Sequence, residues 1–251
     1  SAHIPMLVPS DAQECKDFIK FAFELSEQYD TPVLVGTCTR VAHARSPVSL
    51  EDRAEQAVRP WARDPQKYVM MPAMARGRHV AVEAREARLA QAAGDLPIHR
   101  VEWADRSLGV LCVGTAYHYV KEALPNASVL KLGMVHPLPE ALIRDFAGKV
   151  ERLLVIEEME PFLEDRLKAM GIACEGKALT GRQGELSVPK LRKALGLPSP
   201  APEPKPLPGR PPVMCPGCPH RGTFFALSKR KLRVFGDIGC NTLLHFLNAM
   251  D

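Results

Sequence analysis

Three short apolar runs, separated by segments of helical character, constrain this chain more than any other feature. Leu108-Gly109-Val110-Leu111-Cys112-Val113, Ser128-Val129-Leu130-Lys131-Leu132 and Arg152-Leu153-Leu154-Val155-Ile156 each read as a strand. Gly114-Thr115 turns the chain from the first run into a helix through Ala123. Pro137-Leu138-Pro139-Glu140 opens the next helix, with proline early, where its missing N–H costs nothing. Phe162 to Met170 reads as a third helix and Pro189 to Leu195 as a short last one. Strands alternating with helices predict a parallel sheet covered on both faces over residues 106–196. The fold class predicted for the chain is therefore α/β.

The residues before this unit are less regular. Ser10 is the expected N-cap of a helix, with Glu14 four residues on and Phe18, Ile19, Phe21, Ala22 and Leu25 at helical spacing. Thr31-Pro32 breaks that helix. Val33-Leu34-Val35-Gly36-Thr37 is expected to be a buried parallel strand. Thr39 to Arg45 follow its carboxyl end, the edge at which open parallel sheets bind ligands. A helix from about Met71 to Ala93, with charges of alternating sign, suits a solvated or inter-domain position. No catalytic role is legible in residues 46–105.

Residues 197–212 hold eight prolines in sixteen positions. Proline removes a donor and fixes φ, so this stretch is an extended, semi-rigid linker. The residues beyond it predict a helix from about Thr223 to Ser228, a strand Leu232-Arg233-Val234-Phe235, and a turn into another helix at Gly236 to Asn241.

Composition excludes several classes. A net charge of +4 over 251 residues, with no basic run interleaved with aromatics, leaves no nucleic-acid footprint. No apolar stretch reaches the ~20 residues that a membrane helix needs, and Ser1 to Pro5 is not a signal peptide. Seven scattered cysteines are not a disulfide framework, so the expected location is a reducing cytoplasm with most thiols free.

Only the last cysteines are grouped in a way that suggests chemistry. Cys215-Pro216-Gly217-Cys218 sets two thiolates at a spacing suited to one metal ion or one cluster edge. Cys240 follows after the predicted strand and is a third candidate ligand. A turn with two free thiols, or a redox dithiol, is the alternative, and His220 is a candidate nitrogen ligand for zinc or a plain turn residue. Gly236-Asp237-Ile238-Gly239, between strand and helix, resembles a phosphate cradle: glycine lets the backbone approach an anion, and helix N–H groups point at it. The Asp237 carboxylate opposes that use unless a cation offsets it. Arg40, His43 and Arg45 suit a carboxylate clamp, a contact with a neighbouring domain or a polar loop. Glu157-Glu158 reads as a general base or, more ordinarily, as a cap on the following helix.

Taken in order, these segments resemble the 2-oxoacid:ferredoxin oxidoreductases, and among them the alpha subunits of indolepyruvate ferredoxin oxidoreductases. Met214 to Arg221 followed by Val234-Phe235-Gly236-Asp237-Ile238-Gly239-Cys240 resembles the start of the family's thiamine-diphosphate-binding domain. Val8 to Phe18 and Thr39 to Arg45 resemble the end of its pyrimidine-binding domain, and Asp64 to Ala73 its connector. Leu108 to Leu167, with Val155-Ile156-Glu157-Glu158-Met159-Glu160-Pro161, resembles its transketolase-C-terminal-like domain. The resemblance implies parallel-sheet domains of thiamine-diphosphate-enzyme type: residues 1–48 the tail of a pyrimidine-binding domain, 49–105 a connector, 106–196 the transketolase-C-terminal-like domain, 197–212 the linker and 213–251 the start of the thiamine-diphosphate-binding domain.

It also implies a chemistry. An arylpyruvate is oxidatively decarboxylated with thiamine diphosphate and magnesium, coenzyme A takes the acyl group, and ferredoxin takes the electrons through iron–sulfur clusters. Carried over, Cys215, Cys218 and Cys240 hold a 4Fe–4S cluster, and Asp237 to Asn241 lie by the diphosphate. A beta subunit, ferredoxin, coenzyme A and the 2-oxoacid are the implied partners. The glutamate that activates the aminopyrimidine and the Gly-Asp-Gly segment for magnesium are not in this sequence, so the chain alone is expected to bind thiamine diphosphate poorly and to be inactive by itself. The competing readings are a non-catalytic zinc or redox module built on the CPGC cysteines, and an interaction domain built on residues 106–196.

Overall fold

A computed structural model describes residues 3–53, 55, 60–199, 208–209, 214–231, 233–236, 238–239 and 242. The chain divides into two compact units, Ser1–Ala201 and Pro202–Asp251.

In the first unit, β1 (Met6–Leu7) leads into α1 (Ala12–Tyr29), β2 (Leu34–Val35) and the short α2 (Thr39–His43). Then come α3 (Pro65–Tyr68), α4 (Pro72–Ala92) and a 3-10 turn at Ala93–Asp95. The compact sheet region follows as β3 (Arg100–Glu102), β4 (Asp105–Val113), α5 (Ala116–Ala123), β5 (Ala127–Leu132), β6 (Met134–His136), α6 (Glu140–Ala147), β7 (Arg152–Ile156), α7 (Phe162–Ala169), α8 (Lys177–Thr180) and α9 (Val188–Ala194).

The four-stranded sheet has the order β3-β5-β4-β7. Its parallel core joins β5, β4 and β7, as the apolar runs predict. The edge strand β3 runs antiparallel to β5, which sequence reasoning did not anticipate. Each face carries its own core. On one side Val110, Cys112, Val129, Leu154 and Ile156 pack with α5 and with Leu191 of α9. On the other, Leu111, Leu130, Leu132, Leu153 and Val155 pack against Ile143 and Phe146 of α6 and Leu163 and Leu167 of α7. Consecutive strand residues thus face opposite layers, which is why the runs read as continuously apolar rather than alternating. Gly114 makes the turn from β4 to α5 at φ +57, a left-handed conformation that side chains with a Cβ adopt only at a cost.

A second sheet of order β2-β1-β6 ties the first forty residues to this unit. β1 is parallel to β2 and antiparallel to β6, and the Val8 N–H donates to the Gly133 carbonyl at 2.8 Å. Gly133 sits where the Ile98 backbone approaches so closely that a Cβ would collide with its carbonyl. Leu7, Phe18, Leu25, Leu89, Ile98 and Met134 close a third core there.

Four expectations are corrected. Asp11, not Ser10, is the N-cap of α1: its side chain accepts from the Glu14 N–H at 2.8 Å. Ser10 instead turns inward, with its N–H and hydroxyl both donating to Glu14 Oε2 at 2.8 Å. The strand expected over 33–37 is reduced to Leu34–Val35 and is not buried, for Leu34 is 44% exposed; as an edge strand it has a partner on one side only. In the second unit, α10 spans His220–Lys229, longer than expected. The strand expected over 232–235 is absent at the described residues Arg233, Val234 and Phe235, while Leu232 lies outside the described residues. No other strand among the described residues of that unit offers a ladder, and a strand needs one.

Candidate functional site

The cysteine segment is built by its own local rules. Pro216 pre-sets φ and Gly217 takes φ +72, the pairing a type II turn requires, and the Cys218 N–H donates to the Cys215 carbonyl at 3.1 Å. The Cys218 carbonyl then accepts from the Arg221 N–H at 3.2 Å, at the start of α10. The Arg221 guanidinium reaches back to the Met214 carbonyl at 3.0 Å and clasps the turn from both ends. Cys215 is exposed, Cys218 is half-buried, and both are free. A tight turn therefore presents two thiols to solvent, and thiolates are the donor type that zinc and iron–sulfur clusters take. His220 lies against Phe224 of its own helix, with ring centroids 5.9 Å apart.

The other half of the expected constellation is only partly visible. Cys240, Asp237 and Asn241 lie outside the described residues. Ile238 is 92% exposed. Gly239 takes φ +119, a glycine conformation, with open space where a Cβ would stand. Among the described residues no group of three or more His, Cys, Asp and Glu side chains is gathered for a metal.

In the first unit, the structure sorts the remaining candidates. Arg40 Nε donates to Glu185 Oε1 at 2.5 Å, so this arginine fastens α2 to a segment far along the chain. That bond, with Tyr119, Glu185 and Glu158 nearby, raises the Arg40 pKa above its ordinary value. His43 and Arg45 are exposed. Glu157 caps the following helix: its Oε2 accepts from the Leu163 N–H at 2.8 Å and its Oε1 from the Glu164 N–H at 3.0 Å. Burial raises its pKa, against the two N–H donors and the Lys177 charge.

One charged network was missed. Lys131 lies in the middle of β5 with no exposed surface. Its Nζ pairs with Glu14 Oε2 of α1 and stands 4.9 Å over the Phe18 ring. Arg100 Nη2 lies 3.4 Å from Glu14 Oε1, and Arg100 Nη1 donates to the Tyr117 hydroxyl at 3.0 Å. Tyr117 in turn donates to Glu102 Oε1 at 2.7 Å, which Lys121 also holds through Oε2 at 2.6 Å. Burial lowers the Lys131 pKa, and Glu14 opposes that shift. The signal was present: a lysine inside a buried apolar run must find a carboxylate. Its partner, 117 residues away, is not legible from sequence spacing. Lys131 has no exposed surface, while Arg100 and Lys121 carry the far side of the network out to solvent, so the Lys131–Glu14 pair joins α1 to the sheet.

No protein-family model matches the sequence. A solved structure of 2-oxoglutarate:ferredoxin oxidoreductase from Magnetococcus marinus, with 2-oxoglutarate, coenzyme A and succinyl-CoA bound, superposes with a TM-score of 0.50 at 14% identity, over 68% of this chain and 38% of that one. The fold is thus an α/β fold of thiamine-diphosphate-enzyme type. Indolepyruvate oxidoreductase subunit IorA of Pyrococcus abyssi is 35% identical over 277 residues, covering 96% of this chain and 43% of that protein. IorA of Methanothermobacter thermautotrophicus is 36% identical over 273 residues, with 96% and 44% covered. 2-Oxoglutarate synthase subunit KorA of Methanothermobacter marburgensis is 27% identical over 237 residues. The chain is a relative of the indolepyruvate oxidoreductase IorA subunits and spans less than half of their length.

Proposed function

We propose that this chain is part of an oxidoreductase that oxidatively decarboxylates arylpyruvates of the indolepyruvate type, with thiamine diphosphate and magnesium, coenzyme A and ferredoxin. The observation that carries this reading is similarity to IorA subunits along 96% of the chain. A beta subunit, as the word subunit in the relatives' names suggests, completes the assembly, and the cytoplasm is its location. Among the described residues no helix is long and apolar enough to cross a membrane.

Cys215 and Cys218 suit a cluster in donor type and in presentation, as two free thiols on one ordered turn. With Cys240 they would hold a 4Fe–4S cluster, which would supply one-electron transfer when bound. Gly239, with its left-handed φ and open Cβ position, suits close approach by an anion, and Asp237 to Asn241 would hold the diphosphate and magnesium of the thiamine cofactor. What the chain's own residues do there is hold position: the Pro216-Gly217 turn fixes the backbone between the two cysteines, and the Arg221 guanidinium ties the start of α10 to the Met214 carbonyl.

The test is anaerobic expression of the full-length protein to which this chain belongs, together with a beta subunit of the indolepyruvate type, followed by ferredoxin reduction with indolepyruvate and coenzyme A. Indolepyruvate-dependent reduction is the expected result, and its absence in an iron-loaded preparation overturns the proposal. In the intact protein, Cys218→Ser should impair ferredoxin reduction more than substrate binding; normal reduction by that variant removes Cys218 from the electron path. Iron with acid-labile sulfide and a broad band near about 400 nm supports the cluster. Zinc alone supports the second reading, a non-catalytic zinc or redox module, which draws on the same solvent-facing pair of thiols.

A further inference from the structure

A cavity of about 620 Å³ opens between α6 and α7, bounded by the end of α4 and by the chain leaving β6. None of its residues has a part in the function proposed above. Its walls are of two kinds. Phe162, Pro137, Leu138 and Met170 make an apolar floor, and Phe162 is 45% exposed. Two guanidinium groups, Arg144 of α6 and Arg166 of α7, make a cationic side.

The two arginines differ in how they are occupied. Arg144 Nη1 donates to the Met170 carbonyl at 2.9 Å, and its Nη2 is 4.0 Å from Glu140 Oε2, too far for a strong bond. Arg166 has no hydrogen bond or ion pair from its guanidinium among the described residues; it stands 5.9 Å from the Phe162 ring centroid. The acids nearby do not neutralise the pair. Glu140 reaches only Arg144, and Glu86 lies 2.9 Å from His136 Nε2. A cation in the last turn of a helix is commonplace, since it complements the dipole. That accounts for Arg166 being where it is, but not for a cavity of ligand size with an exposed aromatic ring beside it.

We propose that this cavity is a binding site for a small molecule that joins one anionic group, carboxylate or phosphate, to a flat apolar body. The anion pairs with Arg166 in the planar fork geometry that guanidinium offers, with Arg144 beside it. The apolar body lies on Phe162 and against Pro137 and Met170. A volume of about 620 Å³ admits a two-ring ligand and its anionic group.

Titration calorimetry of the 251-residue chain tests this with 2-naphthoate and phenyl phosphate as probes. 2-Naphthol supplies the ring without the charge, and acetate and inorganic phosphate supply the charge without the ring. The expected result is that at least one aromatic anion binds about tenfold or more tightly than 2-naphthol and than its ring-free counterpart. The tighter of the two assigns carboxylate or phosphate. Arg166→Gln, an exposed position whose loss should not unfold the chain, should weaken that anion about tenfold and leave 2-naphthol unchanged. Ala141→Phe, which fills the cavity without touching a charge, should abolish binding while the circular dichroism spectrum is retained. Equal affinity for 2-naphthol and the anions, binding unaffected by either substitution, or no binding of either anion up to about 10 mM would each overturn the site.

Discussion

The sheet over residues 100–156 and the cysteine segment over 214–242 solve opposite problems. In the sheet, Val110, Leu111, Leu130 and Leu154 are fully buried, and helices cover both faces. In the cysteine segment, Phe235 is 93% and Ile238 92% exposed, and order comes from a four-residue turn and one helix. In the first region, many buried contacts share the work of holding each strand. In the second, structure rests on a few hydrogen bonds around Pro216 and Gly217, and the reactive atoms face outward. The buried cores and the exposed thiol pair are thus segregated along the chain, and substitutions should separate them.

The largest effect should come from leaving a buried charge without its partner. Glu14→Gln strands Lys131 inside the sheet and should cost about 3–5 kcal/mol in urea unfolding followed by circular dichroism. A cost under about 1 kcal/mol would mean that water reaches Lys131 once Glu14 is neutral. Replacing both, Glu14→Leu with Lys131→Met, should recover most of the loss, since no charge then remains unpaired.

Next come the cores. Leu154→Ala, deep between the two layers, should lower stability by about 2–5 kcal/mol. If the cost falls near that of a surface change, the two-layer packing is wrong.

A pH series sharpens the comparison further. His99 accepts at Nδ1 from the Gly133 N–H at 3.2 Å, and its Nε2 lies 2.9 Å from the Ala93 carbonyl. Burial lowers its pKa from 6.5 to about 4, so the fold holds the neutral ring. The sign follows from linkage: the contribution is complete above pH 6.5 and is lost as pH falls toward 4. Compared with His99→Gln, the native chain should lose up to about 3 kcal/mol more over that window. Parallel pH profiles for the two proteins would show that His99 is not the titrating group.

The smallest effect on stability belongs to the cysteine segment. Cys215→Ser and Ile238→Ser should change unfolding of the first unit by less than about 0.5 kcal/mol, as exposed positions do. Cys215→Ser should nonetheless abolish iron uptake measured with sulfide under anaerobic conditions. Retained iron would remove Cys215 as a ligand; a large stability loss would erase the contrast drawn here.

Much of this was legible in the residues. The run Arg152 to Ile156 coincides with β7, and α4 at Pro72–Ala92 matches the helix expected from about Met71 to Ala93, because apolar runs and helix-forming composition act locally. The turn at Cys215 to Cys218 was legible as a Pro-Gly turn for the same reason. The strands β1, β3 and β6 were not, since two or three residues carry no periodicity and exist only through their partners. Asp11 as N-cap, with Ser10 beside it, also turned on a neighbour: Glu14 drew Ser10 inward, and Arg100 and Lys131 hold Glu14 where it is.

By itself the sequence determined the α/β alternation, the parallel core strands, the proline-rich stretch and the thiol pair, all of which follow from residue type and short-range spacing. Only the tertiary structure decided that Lys131 faces Glu14, that Glu157 serves the backbone of α7, that Arg40 meets Glu185, and that Arg144 and Arg166 share one cavity. The physical reason is range. Propensity and turn chemistry act over a few residues, whereas the desolvation of a charge is offset only by whichever group the folded chain brings beside it.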